Sequence, residues 1–176
     1  MDRNNGPGGA NRPILMRRAN YMIWNDYFMA TAFLAAKRSK NPRTQAGACI
    51  VTRDTSIIVG VGYNGLPRGC NDDDIVWRET MKLYMVHAEE NAILNSNIAD
   101  LKDCKMFASR FPCNKCAQLI IQSGIREVVF MSDEDAGSEK NKAARIMFDS
   151  ANVTYTQFAP TNREIKIDFT QVSLLP

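Results

Sequence analysis

The pattern of apolar and polar positions predicts a helix followed by a β-hairpin in the first third of the chain. Apolar residues recur at three- and four-residue spacing from Trp24, which predicts a helix that ends near Pro42. Two branched, apolar runs follow at residues 46–52 and 57–63. The four polar residues between these runs are typical of a connection between antiparallel strands. One helix and two strands are therefore expected here.

Strand-like and helix-like segments then alternate to the end of the chain. The pattern predicts helices at residues 87–97, 113–123 and 140–150, and strands at residues 104–109, 126–131 and 153–158. The segment 75–84 has no decisive periodicity. Such an alternation is typical of an α/β fold, so we expect a three-layer α/β/α domain with a central mixed five-stranded sheet.

The two ends of the chain have a different composition. Residues 1–20 combine turn-forming Asn, Gly and Pro with no apolar periodicity, which predicts a flexible N-terminal arm. We expect one domain over residues 21–170 and a short tail over residues 171–176. The arm contains four arginines, but it lacks serine and has Asp2 near its start, so we expect no organelle import.

Composition narrows the classes of partner and compartment. The net charge of +3 is far below that of a protein built to hold a nucleic-acid polymer, and it suits a small anionic partner better. No apolar stretch approaches the roughly 18 residues of a membrane span. Five cysteines, an odd number, argue against a secreted disulfide-linked domain. We therefore expect a cytoplasmic protein.

The candidate chemistry centres on the single histidine, His87. It is followed by Glu89 and, downstream, by Cys113 and Cys116. Imidazole and two thiolates are favoured ligands of Zn²⁺, and three protein ligands with one open position are the catalytic pattern. Glu89 is the expected proton carrier because no second histidine exists. Glu90 is the competing carboxylate, and we expect it on the solvent side.

The spacing of these residues is more specific than any of them alone. A lone Cys-x-x-Cys is often a structural site, whereas His-x-Glu followed by Pro-Cys-x-x-Cys is the signature of zinc-dependent nucleobase deaminases. In that chemistry a hydroxide attacks C4 of cytosine or C6 of adenine, a glutamate moves the proton, and ammonia leaves. The motif predicts hydrolytic deamination with one catalytic Zn²⁺.

Motifs beyond the zinc ligands resemble those of the cytidine and deoxycytidylate deaminase family, and within it the deoxycytidylate (dCMP) deaminases. They cover about residues 24–169 and are Trp24-x-x-Tyr27-Phe28-Met29, Ser39-Lys40-Asn41-Pro42, Gly47-Ala48-Cys49-Ile50-Val51, Gly62-Tyr63-Asn64-Gly65-Leu66-Pro67-x-Gly69-Cys70 and Phe130-Met131-Ser132-Asp133. The resemblance implies conversion of dCMP to dUMP for thymidylate synthesis. It also implies a homo-hexamer that dCTP with Mg²⁺ activates and dTTP inhibits.

The resemblance also suggests site residues. The candidates for substrate binding are Asn64, Ala88, Arg43, Arg110, Phe111 and Asp135. The candidates near an allosteric nucleotide are Gly65, Arg68, Gly69, Asn71 and Asp72. Arg43, Arg68, Arg110 and Lys115 are the cations near motif residues that could hold a phosphate. Asp135 stands where the family has a tyrosine, and the segment between Trp77 and His87 is shorter than in the family.

Two alternatives stay open on the sequence alone. One is a deaminase of a polynucleotide, either tRNA or single-stranded DNA, because related families share the zinc motif. The other is a weakly active zinc scaffold that binds nucleotides, since the substitution at Asp135 could weaken substrate binding. The modest net charge argues against the first alternative. The presence of Glu89 argues against the second.

Overall fold

The structure is a computed structural model that describes residues 16–54, 56–71 and 79–170. Most of the predicted arm (1–20) and all of the predicted tail (171–176) lie outside the described residues, as does Asp72. The helices are α1 (Trp24–Ala36), α2 (Ala88–Leu94), α3 (Asn114–Gln122) and α4 (Glu139–Ser150). The strands are β1 (Gly47–Val51), β2 (Ile58–Tyr63), β3 (Lys105–Arg110), β4 (Glu127–Ser132) and β5 (Thr154–Gln157), and Glu79–Leu83 forms a 3₁₀ helix.

The five strands form one mixed sheet in the order β2-β1-β3-β4-β5. Strand β1 is antiparallel to both β2 and β3, whereas β3, β4 and β5 run parallel. The connections between the parallel strands are helices α3 and α4, as a parallel crossover requires. The predicted mixed five-stranded sheet is confirmed.

Two apolar clusters cover the two faces of the sheet. Phe28, Met29 and Ala32 of α1 pack against Cys49 and Phe107 on one face. The opposite face packs against α2, α3 and α4 in a larger cluster that contains Ile50, Met106, Ile120, Val128 and Phe148. The three-layer α/β/α architecture is therefore confirmed, with one helix on one face of the sheet and three on the other. Cys49 and Cys104 are buried core residues.

Helix α1 is shorter than the periodicity predicts. It ends at Ala36, four residues before Lys40, and residues 37–46 form a loop that returns to β1. Asn41 shapes this loop, because its Oδ1 accepts hydrogen bonds from the backbone N–H groups of Arg43 and Thr44. An asparagine that bonds the backbone two residues ahead favours a turn over a continued helix. This loop matters because it forms part of the candidate site.

Helix α2 lies unusually close to strand β2. A Cβ atom on Gly62 would be 2.2 Å from the backbone nitrogen of Ala92 and 2.3 Å from the carbonyl oxygen of Ala88. Gly60 makes the same kind of approach, with its Cβ position 2.4 Å from the Ala92 oxygen. Helix and strand backbones can come this near only where the strand has no side chain. The two glycines therefore fix the position of α2 on the sheet.

The first testable prediction concerns this contact. Gly62→Ala places a methyl group where it clashes with the backbone of α2. We therefore expect the free energy of unfolding to fall by about 1–3 kcal/mol and the melting temperature to fall by several degrees. Gly137→Ala is the matched control, because a Cβ there meets no atom within 4 Å among the parts of the chain that the structure describes, apart from its chain neighbours. Thermal unfolding followed by circular dichroism measures both. Equal melting temperatures for the two variants would show that α2 does not depend on this approach.

Candidate active site

Two helix N-termini bring the predicted metal ligands together. His87 is the N-cap residue of α2 and Cys113 is the N-cap residue of α3, each in extended backbone conformation. Cys116 lies in the first turn of α3, one turn from Cys113, and is buried. The positive end of a helix dipole favours the thiolate form of cysteine. His87 was expected inside the first turn of its helix, and it lies instead one residue before it.

The three ligand atoms have the separations of a zinc centre. His87 Nδ1 lies 3.5 Å from Cys113 Sγ and 3.3 Å from Cys116 Sγ, and the two sulfurs are 3.8 Å apart. Tetrahedral bonding to zinc requires about 3.8 Å between two sulfurs and about 3.6 Å between sulfur and nitrogen. In the described ranges this is the one group of three such side chains that could hold a metal ion. The residues present therefore fit zinc.

The titration of these groups reflects their mutual contacts. The hydrogen bond with Cys116, and to a lesser extent that with His87, lowers the pKa of Cys113 to about 3. The hydrogen bond with Cys113 and burial both raise the pKa of Cys116. The hydrogen bond with Cys113 raises the pKa of His87, although burial opposes it. A bound cation would keep both sulfurs as thiolates.

Glu89 lies directly beside the cluster. Its side chain is buried, with 7% of the residue exposed, and its Oε2 is 3.4 Å from Cys116 Sγ. Burial raises the pKa of this carboxyl group. A carboxyl group with a raised pKa accepts and releases a proton more readily near neutral pH. Glu90 does not line the adjoining cavity.

A cavity of about 690 Å³ opens in front of the cluster. This volume lies within the roughly 300–1,000 Å³ that is typical of small-molecule sites. His87, Cys113 and Glu89 line it. Five of the six candidate substrate residues line it as well, namely Asn64, Ala88, Arg110, Phe111 and Asp135. The fold therefore brings these residues from four separate segments of the chain into one site. Arg43 and Lys115 are exposed and do not line this cavity.

Sequence reasoning missed several residues of the cavity wall. They come from the loop after α1, the segment before α2 and the start of α4, and they are Asn41, Thr44, Ala46, Lys82, Met85, Ser138, Glu139, Lys140 and Asn141. The signal that could have found the last four is the parallel arrangement of β3 and β4. Ligands bind at the carboxyl ends of parallel strands, and the segment after β4 starts there.

Asn64 shapes the cavity wall by bonding to the backbone. Its side-chain Nδ2 donates to the carbonyl of Thr44 at 2.9 Å, and its Oδ1 accepts from the N–H of Ala46 at 2.8 Å. The hydroxyl of Ser39 donates to the backbone carbonyl of Asn64 at 2.8 Å. These bonds hold the loop after α1 against the end of β2. Asn64 thus fixes two sides of the cavity at once.

Phe111 provides an apolar wall that is braced from behind. Its ring makes an edge contact with Phe130, with 4.9 Å between centroids, and the guanidinium of Arg145 lies 4.2 Å from its centroid. Arg145 also forms an ion pair with Asp133, which accepts a hydrogen bond from Asn141. This network joins the end of β4 to α4. Phe111 is therefore held in place immediately before the cysteine motif.

The four candidate allosteric residues that the structure describes lie outside this cavity. Arg68, Gly69 and Asn71 are exposed. Gly69 adopts a φ of 91°, and no atom of the described residues, apart from its chain neighbours, lies within 4 Å of its Cβ position. Gly65 pairs with Val86 in an isolated β-bridge. This bridge connects the loop after β2 to the residue that precedes His87. The backbone of this loop is thus hydrogen-bonded to Val86, the residue next to the metal ligand His87.

Known proteins resemble this chain both in sequence and in fold. Residues 22–132 match the family model described as "Cytidine and deoxycytidylate deaminase zinc-binding region". The deoxycytidylate deaminase of Mus musculus is 52% identical and that of Homo sapiens 50% identical, each over 91% of this chain and 93% of the relative. The crystal structure of dCMP deaminase from cyanophage S-TIM5 in complex with dCMP and dUMP has a TM-score of 0.61 at 22% identity, over 76% of this chain and 96% of that chain.

None of the helices in the described residues combines the length and the apolar character that crossing a membrane requires.

The second prediction tests the metal cluster. Cys113→Ser replaces a thiolate ligand by a poor one, so we expect the affinity for Zn²⁺ to fall about tenfold or more. Competition with a chromophoric chelator measures this affinity on the metal-free protein. Cys70→Ser is the matched control, because Cys70 is an exposed free cysteine outside the cluster. A Cys113→Ser protein that binds zinc as tightly as the control would rule out Cys113 as a ligand.

Proposed function

This chain belongs to the cytidine and deoxycytidylate deaminase family, and from that premise we propose that it converts dCMP and water to dUMP and ammonia. The observation that carries the proposal is a buried glutamate beside a His-Cys-Cys cluster at the end of a cavity of nucleotide size. Relatives about 50% identical over more than nine tenths of their length are deoxycytidylate deaminases. The identity of these relatives favours dCMP over other cytosine compounds as the substrate of this chain.

The metal ligands and Glu89 divide the chemistry between them. His87, Cys113 and Cys116 would hold Zn²⁺, which makes a water molecule nucleophilic at neutral pH. Glu89 would accept one proton from the attacking water and deliver it to N3 of the cytosine ring. It would then accept the second proton from the new C4 hydroxyl group and deliver it to the amino group, which leaves as ammonia. Its burial supports this role, because a raised pKa makes both transfers easier.

Two buried residues line the cavity close to the metal cluster and suit the flat base. Ala88 is 1% exposed and Phe111 is 6% exposed, so both present apolar surface close to the metal ligands. Asn64 holds the opposite loop at a fixed distance. We assign these three residues to the base and sugar of the substrate. Water is displaced from apolar surface when the base binds, which favours binding.

The two alternatives have less support. A polynucleotide deaminase is disfavoured by the net charge of +3 and by the identity of the relatives. An inactive zinc scaffold is disfavoured because Glu89 is present and is buried against the cluster. A scaffold that only binds nucleotides gains nothing from a desolvated carboxylate, which is costly to bury.

We further propose the regulatory and cellular context that the family resemblance implies. The exposed loop with Gly65, Arg68, Gly69 and Asn71, together with Asp72, would bind dCTP with Mg²⁺ as activator or dTTP as inhibitor. The β-bridge between Gly65 and Val86 supports this role, because it connects the loop to the segment that leads into His87. The dUMP product would supply thymidylate synthesis.

Oligomerisation and location complete the proposal. Exposed apolar residues on and before α1, including Tyr21, Trp24 and Leu34, favour a homo-oligomer, and we propose a hexamer. Five free cysteines favour the reducing cytoplasm. The domain would span residues 21–170, with residues 1–20 as an arm and 171–176 as a tail.

The third prediction tests the reaction itself. Zinc-loaded protein should release ammonia from dCMP, and Glu89→Gln should retain its zinc but lose about 10²–10⁴-fold in turnover because the proton carrier is removed. Ammonia release is measured with dCMP, deoxycytidine, a tRNA and single-stranded DNA. Turnover of a polymer but not of dCMP would replace the proposed substrate. Equal turnover by Glu89→Gln would refute the assigned proton transfer.

The fourth prediction tests regulation. With dCMP held below its KM, dCTP with Mg²⁺ should raise the initial rate and dTTP should lower it. Arg68→Gln should weaken both effects, because the loop loses a phosphate-binding cation. The rate without effectors is the control for each protein. Rates that are independent of both triphosphates would show that this chain lacks the proposed regulation.

A further inference from the structure

We propose that Arg110 binds the 5′-phosphate of the substrate and that Asp135 competes with this phosphate for the same guanidinium group. The inference rests on the proposed deamination of dCMP. The preference for a nucleotide over a nucleoside would then depend on three charged side chains, Arg110, Glu134 and Asp135, which we call the mouth cluster.

Arg110 lies at the right place for a phosphate. It is the last residue of β3 and pairs with Ser132 of the parallel strand β4, so it stands at the carboxyl edge of the parallel strands, where ligands bind. It lies three positions before Cys113 in the chain, a backbone span of at most about 11 Å. It lines the same cavity as His87. One nucleotide can therefore contact both the metal cluster and Arg110.

The other cations are less suitable. Arg43, Arg68 and Lys115 do not line the cavity. Lys82 and Lys140 do line it, but both are exposed residues with flexible side chains. A lysine ammonium is a point charge, whereas the planar guanidinium of arginine can donate two parallel hydrogen bonds to a phosphate. The side chain of Arg110 is also more shielded, with 32% of it exposed.

The ion pairs orient Arg110 without using all its donors. Its Nη2 lies 3.0 Å from Glu134 Oε2 and 3.3 Å from Asp135 Oδ2. Both contacts involve Nη2. Within the described ranges, Nη1 and Nε of Arg110 make no hydrogen bond or ion pair. A guanidinium carries five N–H donors. The remaining donors can therefore receive an anion while the carboxylates hold the group in position.

The two carboxylates have different positions relative to the cavity. Asp135 lines it and Glu134 does not, although both side chains are 70% exposed. A phosphate bound to Arg110 would meet the negative charge of Asp135 within the same space, and like charges in one site repel. Asp135 therefore reduces the affinity for the phosphate, whereas Glu134 orients Arg110 from outside.

Arg110→Gln tests the cation. We expect KM for dCMP to rise about tenfold or more, with kcat nearly unchanged, because the phosphate is bound equally before and during the reaction. Arg110→Lys should restore part of the affinity. Lys102→Gln is the control for net charge, since Lys102 precedes β3 at its opposite end. Circular dichroism and zinc content establish that each variant is folded and loaded.

The results separate the possible outcomes. An unchanged KM in Arg110→Gln overturns the assignment, and so does a larger rise of KM in Lys140→Gln or Lys82→Gln. If the unaltered chain does not deaminate dCMP, the proposed function fails and this inference fails with it. If the unaltered chain is active and Arg110→Gln has the same KM, only the inference fails.

Asp135→Asn tests the competitor. The amide keeps an oxygen that can accept from Nη2 but removes the charge, so we expect KM for dCMP to fall about threefold. Asp103→Asn is the matched control, because Asp103 is an exposed carboxylate that pairs with Arg126 and precedes β3 at its opposite end; it should change KM less than about twofold. Added NaCl should reduce the difference between Asp135→Asn and the unaltered chain. A rise of KM in Asp135→Asn, or an equal fall in Asp103→Asn, would overturn the competitor role.

Discussion

The close approach of helix α2 to strand β2 is the constraint on which the site depends. Gly60 and Gly62 allow the helix backbone to lie against the strand, and the N-cap of that helix is His87. Helix α3 starts after β3, two strands further along the sheet, and carries both cysteines. The separation of the three ligand atoms therefore depends on how deeply α2 is seated. A side chain on β2 at this point would move the imidazole away from the sulfurs.

The same packing creates the electrostatic setting of the reaction. Glu89 is in the first turn of α2, so a helix that is seated deeply also buries its carboxylate. Burial raises the pKa of the Glu89 carboxyl group. The cysteines beside Glu89 form the polar side of the site. Phe111 and Ala88 supply the apolar side. One helix position thus controls metal geometry, proton affinity and the surface for the base.

Much of the fold and of the centre of the site could be predicted from the sequence because both depend on local signals. Periodicity located all four helices and five strands, and the spacing of His87, Cys113 and Cys116 indicated a common cluster. The family resemblance is confirmed by relatives about 50% identical. The assigned roles of the substrate and allosteric residues stay predictions.

The rest of the site could not be predicted because it arises where distant segments meet. Lys82 and Lys140 line one cavity, yet nothing in the sequence links them. The turn in the loop after α1 depends on side-chain bonds of Asn41 to the backbone of Arg43 and Thr44. The ion pairs of Arg110 depend on the register between β3 and β4, which places residue 110 beside the segment after Ser132.

The His-Cys-Cys cluster also has a consequence for the cooperativity of the chain. His87 and Cys113 are 26 residues apart, and they follow strands that are not neighbours in the sheet. A metal held by both would close this stretch into a loop, as a covalent cross-link does, and would restrict the unfolded chain more than the folded one. The edge strand β2 and the central strand β3 would then unfold in one cooperative step. Metal supply would thus govern the lifetime of the folded enzyme as well as its chemistry.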